Sequence, residues 1–112
     1  HALRMEVADR AVETAVCELL SYSVVSIQAE GRVPNMEASM CKMFGSELVQ
    51  RVARTEMQVT GMAGQLRADP TLESYGLSPA MAYLSVIPAT IAAGSSEIQR
   101  NIIATRGLGL PR

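Results

Sequence analysis

The sequence predicts an all-α fold, a single helical domain of the four-helix-bundle type that spans residues 1–112. Three observations predict this fold class. Residues 2–30 contain neither glycine nor proline. In two long segments, apolar residues recur every three or four positions, which is typical of amphipathic helices. Glycine and proline residues separate these segments and mark helix ends. A composition of 48% hydrophobic and 19% charged residues is typical of a globular chain.

The first predicted helix spans residues 2–30, and the second spans residues 36–60. The apolar stripe of the first helix consists of Leu3, Val7, Ala11, Ala15, Leu19, Leu20, Val24 and Ile27. Gly31 ends that helix, and Asn35 is a good N-cap for the second because its side-chain oxygen can accept from free backbone amides. Gly45 lies inside the second helix, where it permits the close approach of a neighbouring helix.

Two shorter helices are predicted at residues 79–87 and 96–106. Ser78 and Pro79 give the first of them an N-cap followed by proline at the first helical position. Gly107 ends the second. An irregular connection is predicted between residue 65 and the start of the third helix, since this stretch contains the pairs Asp69-Pro70 and Tyr75-Gly76.

The lengths of the four predicted helices are unequal. The two long helices would extend about 44 and 37 Å at a rise of 1.5 Å per residue. Two short helices cannot cover apolar faces of that length. We therefore expect the first helix of the bundle to be missing from this chain and to come from another segment or from a second chain.

Charge and residue usage exclude several classes of function. A formal net charge of −1 and a pI near 5.8 favour neither nucleic acid nor a membrane as a partner. Cys17 and Cys41 are predicted to be free thiols in a reducing cytoplasm, and no export signal opens the sequence. The one histidine, His1, supports neither a metal site nor histidine-dependent catalysis.

Three stretches of the chain carry a recognisable pattern. The first, residues 8–22, places an acid near the start of a long helix and Leu-x-Tyr near its end. The second, residues 37–64, includes Glu-Ala-x-x-x-Lys-x-x-x-Ser-Glu and then Gln-Val-Thr-Gly-Met. The third, residues 94–111, reads Gly-Ser-Ser-Glu-Ile-Gln-Arg-Asn-Ile-Ile-Ala before Gly-Leu-Gly-Leu-Pro. Together these stretches resemble the carboxy-terminal helical domain of flavin-dependent acyl-CoA dehydrogenases.

The resemblance implies a larger enzyme with an amino-terminal helical domain, a middle β domain and this carboxy-terminal bundle. It implies FAD as the cofactor, an acyl-CoA thioester as the substrate and α,β-dehydrogenation as the reaction. An electron-transfer flavoprotein would reoxidise the flavin. Subunits of the family assemble so that this domain borders the cofactor, which implies a homo- or hetero-oligomer.

The resemblance also assigns site residues in two segments. The cofactor-binding residues are Gln58, Val59, Thr60, Gly61 and Met62 in the first segment, and Ser95, Ser96 and Glu97 in the second. The first matches the flavin-contacting Gln-x-x-Gly-Gly pattern, except that Met62 replaces the second glycine. Gly94 matches a position against the substrate. Structural roles remain open beside these assignments, with Gly61 as a C-cap and Ser95 or Ser96 as an N-cap.

Ala93 occupies the position at which many members of the family carry the catalytic glutamate. A methyl group cannot accept the α-proton, so three explanations stay open. The base lies on the missing helix, or this protein is the partner without a base in a heteromeric dehydrogenase, or catalysis has been lost. A non-catalytic helical module for oligomerisation is the alternative outside the enzyme class.

Overall fold

A computed structural model of the chain describes residues 1–67 and 77–111. The prediction of an all-α fold is confirmed, since the described residues form four α-helices and no β-strand. The helices are α1 (Ala2–Ala29), α2 (Asn35–Thr60), α3 (Pro79–Ser85) and α4 (Ser96–Ile102). Most of the predicted irregular connection, residues 68–76, lies outside the described residues. None of the described helices is both long and apolar enough to cross a membrane.

The two long helices form an antiparallel pair joined by a short turn at Gly31, whose φ is 75°. They approach each other closely at Gly45, as the sequence predicts. A Cβ atom added at Gly45 would lie 3.4 Å from the Sγ atom of Cys17. One turn further along the pair, Ser21 Oγ lies 3.4 Å from Cys41 Sγ. The thiols therefore lie within the contact between α1 and α2.

A row of charged side chains also links three of the helices. Glu13 on α1 pairs with Arg10 on its own helix at 2.7 Å and with Arg51 on α2 at 3.1 Å. Glu47 on α2 lies 4.0 Å from Arg51 and 3.2 Å from Arg100 on α4. Since these groups are partly exposed, each pair contributes about 1 kcal/mol or less.

Several predicted helix boundaries are wrong by one or more residues. Pro34, not Asn35, is the N-cap of α2, and no side chain caps that end. The third helix ends at Ser85, and a 3₁₀ turn follows at Ile87–Thr90, because proline disfavours helical geometry at the residue before it. After Ile102, the last helix widens into a π-helical turn at Ile103–Gly107.

The core of the described part of the chain is small. Leu48 and Ala53 on α2 are its buried hydrophobic residues, with exposures of 5% and 4%, and Pro79 is fully buried. No residue of α1 is buried, although this helix has 28 residues. The predicted stripe of α1 is thus only partly covered, which agrees with a bundle that lacks one helix.

Candidate functional site

Residues 86–95 connect α3 to α4 and carry two positions singled out in the sequence, Ala93 and Gly94. Their φ angles are 57° and 94°, so two successive residues adopt left-handed conformations. Among the described residues, Ala93 is the one non-glycine residue with a positive φ. A left-handed alanine costs roughly 1–2 kcal/mol, so contacts around this turn must hold it in place.

Side chains from α2 and α4 hold the turn by donating to its carbonyl oxygens. Lys42 Nζ donates to Gly94 O at 2.6 Å and to Ala89 O at 3.3 Å. Gln99 Nε2 donates to Ala93 O at 3.1 Å. Lys42 is half-buried and Gln99 is buried. Hydrogen bonds from a charged donor are shorter and stronger than neutral ones, and the Lys42–Gly94 bond is the shortest of these three.

Gln50 on α2 holds the other end of the same connection. Its Nε2 atom donates to Ile87 O at 3.0 Å, to Thr90 Oγ1 at 3.2 Å and to Val86 O at 3.3 Å. Val86 O also accepts from Ala89 N at 3.1 Å, so Gln50 adds side-chain bonds where α3 passes into the 3₁₀ turn. The whole connection is therefore fixed to α2 at both ends.

The residues that follow Gly94 form the capped start of α4. Ser95 Oγ accepts a hydrogen bond from Ile98 N at 3.4 Å, so Ser95 is the N-cap. Hydrogen bonds from its own backbone N–H and from the Ser95 side chain hold the pKa of the exposed Glu97 carboxyl below its ordinary value of 4.5. Ser96 Oγ is buried and has no hydrogen-bond partner among the described residues. Its hydroxyl is therefore closed to any ligand in this conformation.

The second predicted segment lies at the far end of α2. Gln58 and Val59 are exposed on the last turn, and Thr60 Oγ1 bonds back to the carbonyls of its own helix. Gly61 is the C-cap with a φ of 58°, and nothing lies within 4 Å of a Cβ atom added there. Met62 follows with 80% exposure. This segment offers one glycine backbone and an amide side chain to a ligand at the surface.

The structure does not bring the two predicted segments together. Lys42 contacts Gly94, and Gln58 lies 16 residues further along the same helix, α2. At 1.5 Å per residue, this interval corresponds to about 24 Å along α2. The segments therefore form two separate surfaces of this chain.

The exposed groups of both surfaces fit a polar cofactor such as the FAD implied by the resemblance. Gln58 and Gly61 present an amide group and an open backbone, and Glu97 presents the exposed first turn of α4. Two features restrict the fit. The side chain of Met62 stands where the pattern expects glycine, and the hydroxyl of Ser96 is buried. Contact through Ser96 would use its backbone amide.

An open apolar groove of about 1030 Å³ runs between the two long helices and the end of α3. It extends from Val7 to Ser21 on α1 and from Gly45 to Thr60 on α2, about 21 Å along each helix. Its apolar lining includes Leu48, Val49, Val52, Val59, Leu77 and Val86. The length and lining of the groove match one face of a helix of about four turns.

The sequence does not indicate that Lys42 and Gln99 hold the turn at Ala93–Gly94, nor that Gln50 braces the opposite end of the connection, away from the turn. Periodicity cannot show that a polar side chain reaches a loop 36 or more residues away in sequence. One signal was available for Lys42, because this lysine is part of the Glu-Ala-x-x-x-Lys pattern in the second stretch. No comparable signal marked Gln50.

Comparison with known proteins gives one family. The family model described as "Acyl-CoA dehydrogenase, C-terminal domain" matches residues 1–108. Acyl-CoA dehydrogenase FadE26 of Mycobacterium tuberculosis is 34% identical over 102 residues, which cover 87% of this chain and 25% of that protein. Acyl-CoA dehydrogenase FadE29 of the same organism is 33% identical over 96 residues, covering 85% and 24%. The chain thus spans about a quarter of the length of the curated relatives it matches.

A solved structure shares the fold. A chain in the crystal structure of the ChsE4–ChsE5 complex from Mycobacterium tuberculosis superposes with a TM-score of 0.84 at 29% identity. The match covers 98% of this chain and 28% of that chain.

Proposed function

Since the chain belongs to the acyl-CoA dehydrogenase family and matches its C-terminal domain, we propose that it forms this domain of an FAD-dependent enzyme. The full-length protein would dehydrogenate an acyl-CoA thioester between its α and β carbons. The observation that carries the proposal is the left-handed turn at Ala93–Gly94, which leads directly into the capped start of α4. The family places substrate and flavin against these positions.

The chain's own residues would supply binding surfaces to that reaction. Gly94 borders the acyl thioester, and Ser95, Ser96 and Glu97 border a flavin. The segment from Gln58 to Met62 borders a second flavin, held by a neighbouring subunit, and the interval of about 24 Å between the segments supports this division. FAD, when bound, supplies the hydride acceptor, and an electron-transfer flavoprotein in the cytoplasm would reoxidise it.

We assign the groove to the first helix of the bundle, which lies outside the 112 residues. The matching relatives are about four times as long as the chain, so such a segment is available in them. A second apolar stripe lies on the far side of α1 from the groove, by the geometry of the helix. It consists of Met5, Val12, Val16 and Leu19, all exposed. We assign this stripe to contact with another subunit.

The catalytic base would lie outside the segment that carries Ala93. Glu97 is a poor substitute, because its carboxylate is hydrogen-bonded to its own backbone N–H and to Ser95. It also lies four residues beyond Ala93, on the first turn of α4 and not on the left-handed turn. Our leading proposal is a base on the bundle's first helix.

A second candidate function is favoured by one observation. One solved structure that shares this fold is a complex described by two subunit names, ChsE4 and ChsE5. A subunit with alanine at position 93 could act as the partner without a base in such an assembly. A helical oligomerisation module without catalysis would retain neither FAD nor a response to acyl-CoA.

The substitution Ala93→Glu in the full-length protein separates these possibilities. Flavin bleaching is measured with butyryl-, octanoyl- and palmitoyl-CoA, for the protein alone and mixed with any acyl-CoA dehydrogenase encoded beside it. Bleaching by the unaltered protein alone supports a base elsewhere in the chain and contradicts the second candidate. A rate increase of ~10²- to 10⁴-fold on Ala93→Glu, the range expected for a general base, supports the second candidate.

The control is Ala92→Glu, which adds the same carboxylate one residue away. Like Ala93, Ala92 is exposed, so both substitutions carry a similar cost in stability. If both variants respond alike, the carboxylate does not act from the expected position. If no protein or mixture retains FAD or bleaches, the proposal of a dehydrogenase is wrong.

A further inference from the structure

We propose that Lys42 is a positioning residue for the substrate site, acting by locking the left-handed turn at Ala93–Gly94. The inference rests on the proposed function, because that function places this turn against the substrate. Lys42 itself touches neither substrate nor flavin in the proposal. It acts from α2, behind the turn.

The first observation concerns the environment of the Lys42 ammonium group. Lys42 is half-buried, and none of the ion pairs among residues 1–67 and 77–111 includes it. Its hydrogen-bond acceptors are the carbonyl oxygens of Ala89 and Gly94. Withdrawing an ammonium group from water without a counter-ion is unfavourable. A lysine at this position therefore destabilises the fold unless its hydrogen bonds to the turn offset the lost hydration of its ammonium group.

The second observation is the place at which the two bonds act. Ala89 and Gly94 bracket Ala93, whose left-handed φ is unfavourable for a residue with a side chain. Such conformations persist only where the surroundings impose them, and they cluster at functional sites. Lys42 draws both ends of this short stretch toward α2 and thereby imposes the turn.

The third step follows from the planarity of the peptide bond. In a trans peptide, the C=O and N–H groups point in opposite directions. Since Gly94 O points at Lys42, the N–H of Ser95 points away from α2. No acceptor for this N–H occurs among the described residues. This N–H belongs to the same peptide unit as Gly94 O, so Lys42 orients a free backbone donor beside the residue proposed to border the acyl thioester, where it could meet an acceptor oxygen.

The test uses the full-length protein and the substitution Lys42→Met, which keeps most of the length of the side chain and removes its donors. The dissociation constant for octanoyl-CoA is measured from the change in flavin absorbance. We expect this constant to rise by about tenfold or more while FAD content is unchanged, since small displacements of a positioning group can cost up to about 10²-fold. Lys42→Gln, which keeps one donor, should give an intermediate value and serves if the methionine variant does not fold.

Gln50→Leu is the matched control. It removes an equivalent brace from the other end of the same connection, so it should lower the melting temperature similarly and leave octanoyl-CoA binding unchanged. Adding Ala93→Gly to Lys42→Met should restore part of the binding, because glycine adopts the left-handed conformation without that cost.

The outcomes distinguish failure of the positioning role of Lys42 from failure of the proposed function. If the Lys42 and Gln50 variants weaken binding equally, or if neither does, Lys42 is only a structural brace and the positioning role is wrong. If the unaltered full-length protein retains no FAD and shows no response to octanoyl-CoA, the proposed function fails and the inference fails with it.

Discussion

A charged residue placed in the groove tests whether a helix from outside the chain fills it. Val49 lines the groove and is 41% exposed, so an aspartate there can still reach water in the 112-residue chain. Valine and aspartate have similar intrinsic helix propensities. Since more than half of Val49 is already covered in this chain, we expect Val49→Asp to lower its stability by about 1 kcal/mol, that share of the roughly 2 kcal/mol for a fully buried valine.

A longer version that includes the first helix of the bundle should respond differently. Covering the exposed 41% of Val49 would contribute slightly under 1 kcal/mol, as a share of the roughly 2 kcal/mol for a fully buried valine. Enclosing an aspartate carboxylate without a partner costs about 3 kcal/mol more. The loss in the longer version should therefore exceed the loss in the short chain by about 4 kcal/mol.

Urea denaturation followed by circular dichroism measures both losses. The control is Val33→Asp, because Val33 is 78% exposed in the turn between the long helices and does not line the groove. This substitution should be nearly neutral in both versions. Equal losses for Val49→Asp in the short and long versions would refute the assignment of the groove to a helix.

Three further predictions concern the described residues. Leu48→Ala should lower the free energy of unfolding of the chain by about 2 kcal/mol in urea denaturation. This value is at the low end for a buried leucine, because the open groove admits water. An unchanged free energy would show that Leu48 is not part of the core. Ser96→Ala should raise that free energy by about 1 kcal/mol, since it removes a buried hydroxyl without a partner; a decrease would reveal a partner. Because the folded-state pKa of Glu97 is lowered, its stabilising contribution is present above pH 4.5 and disappears as the pH falls through the folded value. The stabilities of the native chain and Glu97→Gln should therefore converge in acid, and a constant difference at neutral and acidic pH would count against the hydrogen bonds to this carboxylate.

The sequence predicted most of the fold because the signals for α1 and α2 are local. Helical periodicity defined both helices despite Gly45 inside the second, and Gly31 and Pro34 separated them. The predicted end of α3, at residue 87, is later than the observed end at Ser85. Pro88 disfavours helical geometry at the residue before it as well as at its own position. The π-helical turn after Ile102 has no signal in residue spacing, because it depends on tertiary packing.

The site was less predictable than the fold. The C-cap Gly61 followed from its residue type and neighbours, whereas the N-cap was predicted at Ser95 or Ser96 and the structure shows it at Ser95. The left-handed conformation of Ala93 did not, since alanine rarely adopts it and nothing nearby in sequence requires it. That conformation depends on Lys42 and Gln99, which are polar side chains that reach the turn from two different helices.

The return of the last helix to the start of α2 has a consequence for the order of folding. Arg106 on the π-helical turn contacts Asn35 across 71 residues of sequence, whereas α1 and α2 meet through a short turn. Closing a loop of that length costs about 4 kcal/mol beyond a constant, and contacts so distant in sequence slow folding. The hairpin of α1 and α2 should therefore form early, and α4 should dock late. Since the turn at Ala93–Gly94 depends on both α2 and α4, it takes its shape only in this final step.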